Sequence, residues 1–473
     1  MTRDRRVLAH HWLVLAVATL AGSGALALGV AAARFPLVAR HLTDTDLARR
    51  ALVVHVGLGV VAWFCALPVA LFHLYRLGTG SSPRASQAAA LAPWLSGLGA
   101  LLLLSGLVPG VGTVYTVNYI PLVAHPLYSI GLTFFFGGVA LSYLDRGVLG
   151  IGPRALDGPA GAGAVPLVPA AVAESLVATG SLVRLGALYV LLALVALATG
   201  MVRLPDGMEE GTRLEVLMWG PGHVLQLANV AFVLVAWALL AAWGSGRVVS
   251  RSRLVSLVLA LPLLPVLTLM AGGPMWRLYR SSFMLLMQWG LFPAVLLFLG
   301  IVLAPHLRSG EVRPAPSSRA ALWALSASVA LMLTGFVYGA LIRGSDLRIP
   351  GHYHACIGAV TLAYMALTLL LPGSSTGPVD SSGALRLVSV LYGVGQFVFA
   401  TGLMLAGSYG LGRKTYGVEQ QIERPAQMFG LAVMATGGLL AFSGGAVWAF
   451  AVLRRLRSRG PGSPAQERNL REA

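Results

Sequence analysis

Twelve apolar runs, each long enough to cross a lipid bilayer, account for most of this sequence. A helix needs about 20 apolar residues to span roughly 30 Å of hydrocarbon, where lipid offers no partner for an unpaired backbone group. We therefore predict an all-α fold, a polytopic membrane protein with a bundle of about twelve transmembrane helices. The bundle forms one domain, residues 1–455, and a polar cytoplasmic tail follows at residues 456–473. The runs lie at about residues 12–33, 51–75, 90–110, 119–143, 183–203, 222–243, 253–272, 282–305, 320–342, 352–372, 385–408 and 426–453.

The composition supports this class and excludes several others. Mean hydropathy is +0.78 and only 11% of residues are charged, which leaves no room for a separate soluble domain. The net charge of +17 comes from arginines in loops beside the spans. Membrane topology explains these arginines, so we expect the bilayer and not nucleic acid as partner. Cys65 and Cys356 both lie inside apolar runs, which argues against a disulfide framework or a zinc site.

The distribution of basic residues predicts the orientation of the chain. The loops and tails on the side of the N-terminus carry 21 of the 34 Lys and Arg residues. Basic residues accumulate on the cytoplasmic side of membrane proteins. We therefore expect both termini in the cytoplasm, with the protein in the inner (cell) membrane of a bacterium. The first apolar run is too long for the core of a signal peptide, so we interpret it as a retained span.

Two histidines open the tenth predicted span, in the stretch Arg348–His354. Pro350 fits the first turn of a helix, where its missing N–H costs nothing. Residues i and i+2 are roughly 200° apart on a helix, so His352 and His354 leave opposite sides. Ionisable residues inside a membrane are functional candidates by default.

Histidines from three other spans lie at the same depth. Each opens an even-numbered span, and the chain's single lysine, Lys414, follows Arg413 on that side. Two histidines on different helices can ligate a heme iron from both sides. His55, together with either His352 or His354, forms such a pair. The alternative is interfacial histidines that hydrogen-bond headgroups or water; for a set of this size we favour heme. The basic pair is either an ordinary charged loop or the partner of heme propionates. The histidines of the set are His55, His125, His223, His352 and His354.

On these residues, the chain resembles subunit I of the heme–copper oxidase superfamily, which includes cytochrome c oxidases and nitric oxide reductases. The resemblance implies that His55 and His354 hold a low-spin heme, of b-type, and that His352 is the proximal ligand of a second, high-spin heme. Residues 219–223 match the family's Trp-x-x-Gly-His motif, which implies a metal-ligand role for His223. The basic pair implies propionate contacts for Arg413 and Lys414.

The sequence also departs from the family pattern. The seventh span has no His-His pair, so copper would have His223 alone, which is too few ligands. We therefore expect heme without a complete copper site; Glu215 is a candidate for one oxygen ligand. No acidic residue lies inside a predicted span, and the family's usual lysine- or acid-lined proton paths have no counterpart.

These observations lead to one functional prediction with two alternatives. We predict a heme-binding, oxidase-like respiratory subunit that passes electrons from a low-spin heme to a second heme site; the family chemistry is reduction of oxygen or nitric oxide. The alternatives are a non-catalytic diheme electron-transfer or sensing subunit of the same fold, and a secondary transporter. The sequence does not decide whether the chain is an enzyme. It lacks a Cys-x-x-Cys-His motif, so any c-type heme comes from a partner, a c-type cytochrome or cupredoxin-like subunit.

Overall fold

In a computed structural model, the chain forms a bundle of long helices joined by short loops. The structure describes residues 3–80, 84–145, 168–250, 252–308, 316–371 and 382–457. Within these residues, twelve helices are long and apolar enough to cross a membrane, which confirms the predicted fold class. They are α1 (Arg5–Ala32), α2 (Asp46–Gly78), α3 (Gln87–Leu107), α4 (Pro126–Leu144), α5 (Gly180–Arg203), α6 (Glu210–Ser245), α7 (Arg253–Gly272), α8 (Tyr279–Arg308), α9 (Ser317–Ala340), α10 (Arg348–Leu370), α11 (Ser382–Ser408) and α12 (Pro425–Arg455).

Short elements join the spans at several places. A nine-residue helix covers Ala170–Ala178, and single helical turns cover Pro36–Ala39 and Gly417–Gln420. Two antiparallel strands, β1 (Thr113–Tyr115) and β2 (Leu122–Ala124), form a hairpin before α4. The predicted tail, residues 456–473, lies outside the described residues except for 456–457, which continue α12.

Two helices begin elsewhere than the hydropathy suggested. α4 begins at Pro126 and not near residue 119, because the hairpin uses the preceding residues and Pro126 fits the first helical position. α6 begins at Glu210, about twelve residues before the predicted start at 222. The Glu209 carboxylate accepts the backbone N–H groups of Gly211 and Thr212 at 2.8 and 2.7 Å and caps this helix. The first turns of α6 are polar, so a hydropathy profile does not include them in the span.

Contacts between loops show which helix ends share a side. At the end where α2, α6 and α10 begin, here called the histidine end, the Gly417 N–H donates to the Ala33 carbonyl at 2.9 Å and Leu347 donates to Leu411 at 3.1 Å. At the opposite end, here called the terminus end, Ala85 donates to the Arg3 carbonyl at 2.7 Å. The alternation of spans predicted from the sequence therefore matches the observed contacts.

α11 and α12 approach each other more closely than ordinary side chains allow. Glycines recur every seventh residue on α12, at Gly430, Gly437 and Gly444. A Cβ atom on these glycines would overlap the backbones of Ala406, Phe399 and Tyr392 of α11, in that order. Small residues at such spacing are typical of helix pairs in membranes, where close backbone contact replaces the hydrophobic effect as the driving force.

We expect Gly437→Leu to destabilise the bundle by about 1–3 kcal/mol or more, because the new side chain has no space between α11 and α12. Gly383→Leu on α11 is the matched control, since a Cβ at Gly383 meets nothing within 4 Å. Thermal unfolding midpoints in detergent measure the difference. Equal midpoints for the two variants would contradict this account of the helix pair.

Candidate metal centre

The two histidines of α10 leave opposite flanks of the helix, as their spacing predicts. His352 donates its Nδ1–H to the Gly335 carbonyl of α9 at 2.7 Å. The His354 ring packs on the other flank against Phe399 of α11, with ring centroids 4.9 Å apart. A Cβ at Gly339 would lie 2.9 Å from the His352 Nδ1, so glycine there makes room for the ring. One helix therefore presents two imidazoles to two neighbours.

His55 of α2 is held by Ser23 of α1. Its Nδ1 lies 2.9 Å from both the Ser23 carbonyl oxygen and the Ser23 Oγ, and that hydroxyl donates to the His55 carbonyl at 2.9 Å. A carbonyl oxygen only accepts, so Nδ1 carries the hydrogen and Nε2 holds a lone pair. A π-helical turn, Gly57–Ala62, follows at once. Such turns are frequent at functional sites.

The remaining imidazole nitrogens lack protein partners. Within the described residues, no hydrogen bond reaches Nε2 of His55 or His352, or either nitrogen of His354, and all three residues are partly exposed. His55 and His354 lie within electrostatic range of each other. A metal-binding histidine usually donates one ring N–H to a carbonyl and leaves the other nitrogen for the metal. His55 and His352 have this arrangement, so both fit an axial role at a heme iron.

Arg34 is a residue of the site that the sequence analysis missed. It follows the end of α1, and its guanidinium lies 4.4 Å over the Tyr416 ring. Its Nη1 is buried with no hydrogen-bond partner. Arg34 lies within electrostatic range of both His354 and Tyr353. Its position at the histidine end was readable from the sequence, but its approach to His354 depends on the loop after α11.

The two residues of the predicted basic pair, Arg413 and Lys414, have different neighbours. Arg413 donates from Nε to the Ser345 Oγ at 3.1 Å and lies within electrostatic range of Tyr353, between the two histidines of α10. Lys414, in the left-handed region at φ 67, lies within range of Glu215 on α6. Burial lowers the pKa of Lys414, while Glu215 opposes this shift. Arg413 and Arg34 thus both lie near Tyr353, and Lys414 lies near Glu215 of α6.

His223 has a different environment from the other three histidines. It is 1% exposed and lies about 20 Å along α6 from Glu210, because α6 begins about twelve residues before the predicted span. Its Nδ1 donates to the Trp219 carbonyl at 2.6 Å, and its Nε2 accepts the Tyr119 hydroxyl at 2.8 Å. Burial raises the pKa of Tyr119, so its hydroxyl remains a donor. Both nitrogens of His223 are therefore occupied.

This arrangement does not fit copper. No group of three or more His, Cys, Asp or Glu side chains that could hold a metal ion exists in the described part of the chain. The backbone N–H of Asn118 donates to one oxygen of Glu215 at 3.0 Å, and its Nδ2 donates to the other. Neither a hydrogen bond nor a ring or electrostatic contact joins His223 to His352 among the described residues. The predicted shared pocket of these two histidines remains a prediction.

Comparisons with known proteins locate this arrangement in a known fold. No model of a protein family matches the sequence. A protein from Aquifex aeolicus (strain VF5), described only as uncharacterized, is 25% identical over 361 residues, which cover 76% of this chain and 83% of that protein. A cryo-EM structure of a heme–copper terminal oxidase dimer aligns with a TM-score of 0.68 at 17% identity, over 98% of this chain and 85% of that one. The chain has the heme–copper oxidase fold. The resemblance seen in the motifs is thus confirmed at the level of the fold, and the protein is an integral membrane protein of that fold.

We expect Tyr119→Phe to lower the stability of the protein by about 1–3 kcal/mol, because it leaves the buried Nε2 of His223 without a partner. Tyr115→Phe in the same hairpin is the control, since it removes only an exposed bond to Glu210. The measurement is the thermal midpoint in detergent. A fall of the same size in both variants would show that the Tyr119 hydroxyl has no special role.

Proposed function

We propose that this protein is a heme-binding, oxidase-like respiratory membrane subunit in which His55 and His354 are the axial ligands of one low-spin, b-type heme. The observation that carries the proposal is the pair itself. Two imidazoles from α2 and α10 lie within electrostatic range of each other, each with Nε2 free of protein partners. The fold, shared with a heme–copper terminal oxidase, supports this interpretation.

The residues around these two histidines have specific roles in the proposed heme site. The heme, when bound, supplies reversible one-electron chemistry at its iron. Ser23 fixes the tautomer and orientation of His55, so that Nε2 presents its lone pair. Arg34, beside His354, and Arg413, beside Tyr353, would supply positive charge, because two anionic propionates need counter-charges. Lys414 adds a third cation on the side of α6.

The second part of the proposal concerns His352. Its Nδ1–H is held by Gly335, which leaves Nε2 for the iron of a second, high-spin heme on the α9 flank. Electrons would pass from the low-spin site to this one through α10. The donor we propose is a c-type cytochrome or cupredoxin-like partner subunit, and the location is a bacterial inner membrane with both termini in the cytoplasm.

The occupied nitrogens of His223 favour one alternative. An oxidase of the usual kind needs a second metal beside the high-spin heme, and the donor set here does not provide it. A non-catalytic diheme electron-transfer or sensing subunit needs none. We therefore expect little or no reduction of oxygen by the isolated chain. A secondary transporter is the weakest of the alternatives.

The decisive experiment is a reduced-minus-oxidised absorbance spectrum of the purified protein, followed by the same spectrum for two variants. We expect a low-spin heme signal in the parent protein and its loss in His55→Ala and in His354→Ala, because each variant removes one axial ligand.

His41→Ala is the control for these variants, since His41 is an exposed histidine at the same end of the bundle. Its spectrum should equal that of the parent protein. A parent protein purified from heme-replete cells without any heme signal would end the proposal. An unchanged low-spin spectrum in His354→Ala would end the ligand assignment.

Removal of the cations should change the heme without removing it. We expect Arg34→Gln, and separately the double variant Arg413→Gln with Lys414→Gln, to weaken heme retention and to favour the oxidised state, because lost positive charge destabilises the added electron. The expected shift is about tenfold in the ratio of reduced to oxidised heme at a fixed potential, or about 59 mV for a one-electron couple. Redox titration measures it.

Arg40→Gln is the matched control for this charge removal, because Arg40 is an exposed arginine six positions further along the same loop. It changes the net charge by the same amount without approaching His354. A potential that moves equally in Arg34→Gln and Arg40→Gln would indicate only a general effect of surface charge.

A further inference from the structure

Two loops at the histidine end are hydrogen-bonded to each other along their main chains. They join α1 to α2 (residues 33–45) and α11 to α12 (residues 409–424), and the pair is here called the clasp. The bonds run from the Gly417 N–H to the Ala33 carbonyl at 2.9 Å, from the Val418 N–H to the Leu42 carbonyl at 3.2 Å and from the Gln420 Nε2 to the Arg34 carbonyl at 3.3 Å. Segments from opposite ends of the sequence therefore lie in direct contact.

Glu419 joins the two sides of the clasp through its side chain. The Arg49 Nη2 donates to both carboxylate oxygens at 2.8 Å, and the Thr45 hydroxyl donates to Oε1 at 2.9 Å. Arg49 lies in the first turn of α2, and the next residue, Arg50, donates to the Val111 carbonyl at 2.9 Å, which anchors this turn. The ion pair is only partly buried, so it adds little to the stability of the fold. Its charge-assisted bonds nonetheless fix the position of the carboxylate, and with it the position of the loop.

The clasp determines where Arg34 lies. Tyr416 directly precedes the bonded segment and is 1% exposed, and the Arg34 guanidinium lies 4.4 Å over its ring. In this position Arg34 is within electrostatic range of His354. Arg413 is held differently, because its Nε donates to the loop between α9 and α10. Separation of the two loops would therefore displace Arg34 and leave Arg413 in place.

We propose that Glu419 is a positioning residue of the candidate heme site: it closes the clasp, the closed clasp holds Arg34 beside His354, and the heme is retained for that reason. The part that concerns heme rests on the proposed function. The closure of the clasp by Glu419 does not require heme, because every contact in it is between residues of the chain.

The sign of one substitution separates positioning from a simple effect of charge. Glu419→Gln removes a negative charge, and through space this alone would tighten the hold on anionic propionates. Positioning predicts the opposite, because Arg34 is released. We expect heme to be lost about fivefold faster, the factor expected for a partly exposed ion pair. Transfer of heme to an excess of apomyoglobin, followed by absorbance, measures the rate.

Arg49→Gln breaks the same contact with the opposite change of charge. It should accelerate heme loss by a similar factor, and the double variant with Glu419→Gln should add little to either single variant. Glu423→Gln is the matched control, since Glu423 is an exposed acid of the same loop and its substitution changes the charge equally. Its rate should equal that of the parent protein.

A variant without any change of charge opens the clasp by steric means. A Cβ at Gly417 would overlap the carbonyl oxygen of Leu42, so Gly417→Ala forces the loops apart. Gly410→Ala is its control, because Gly410 lies in the same loop, also has a positive φ, and a Cβ there meets nothing within 4 Å. Both variants strain the backbone, and only the first separates the loops. We expect Gly417→Ala to lose heme about tenfold faster than Gly410→Ala.

The reduction potential tests whether Glu419 acts through Arg34. Glu419→Gln should favour the oxidised heme, in the same direction as Arg34→Gln, although the two substitutions change the charge in opposite senses. In the Arg34→Gln background, Glu419→Gln should give no further shift in that direction, because the residue that it positions is already absent.

Hydrogen exchange of the backbone amides gives a measurement that does not depend on heme. Peptides from residues 33–45 and 409–424 should exchange faster in Glu419→Gln and in Arg49→Gln than in Glu423→Gln, because their bonds open more often. Peptides from the rest of the bundle should not change.

Three results would overturn the proposal: slower or unchanged heme loss in Glu419→Gln, equal heme loss in Gly417→Ala and Gly410→Ala, or unchanged exchange of both loops in Glu419→Gln. A protein that lacks heme but shows the expected exchange would refute the proposed function and leave the closure by Glu419 standing. A heme protein whose loops and heme are indifferent to Glu419→Gln would do the reverse.

Discussion

A hydrogen bond from an imidazole N–H to a backbone carbonyl on a neighbouring helix is the interaction on which the proposed metal centre depends. His55 makes it to Ser23 and His352 makes it to Gly335. Each bond fixes both the tautomer and the direction of the ring. His223 shows the contrast, because a second bond, from Tyr119, uses its other nitrogen. One ring nitrogen is therefore free to bind a metal at His55 and at His352, whereas both are hydrogen-bonded at His223.

The fold, and the end of the bundle at which these histidines lie, were predictable from the sequence because both depend on local patterns. Apolar length sets the number of spans, and the alternation of spans assigns His55 and the 352/354 pair to one end. Helix starts were less predictable. α6 begins with polar turns stabilised by the Glu209 cap, and the hairpin before α4 depends on pairing between β1 and β2. A hydropathy profile reports neither helix caps nor strand pairing.

The partners of individual side chains were not predictable, since they come from segments far apart in the chain. Nothing in the sequence places Tyr119 against His223, more than a hundred positions later, or brings Arg34 beside His354. The motif Trp219–His223 implied a metal-ligand role for His223, and nothing in it indicated the hydrogen bond from Tyr119. A family motif reports which residue occupies a position, while its chemical availability depends on every neighbour that the fold supplies.

The glycine contacts between α11 and α12 have a consequence for the proposed electron transfer. Backbones packed against each other without intervening side chains have few alternative arrangements, so the two helices move as one body. The loop that joins them carries Arg413, and α11 supplies the Phe399 ring that packs against His354. At the proposed heme site, the surrounding charges and dipoles would therefore change position little when an electron arrives. A site whose surroundings stay fixed has a small reorganisation energy, which speeds the arrival and departure of the electron alike.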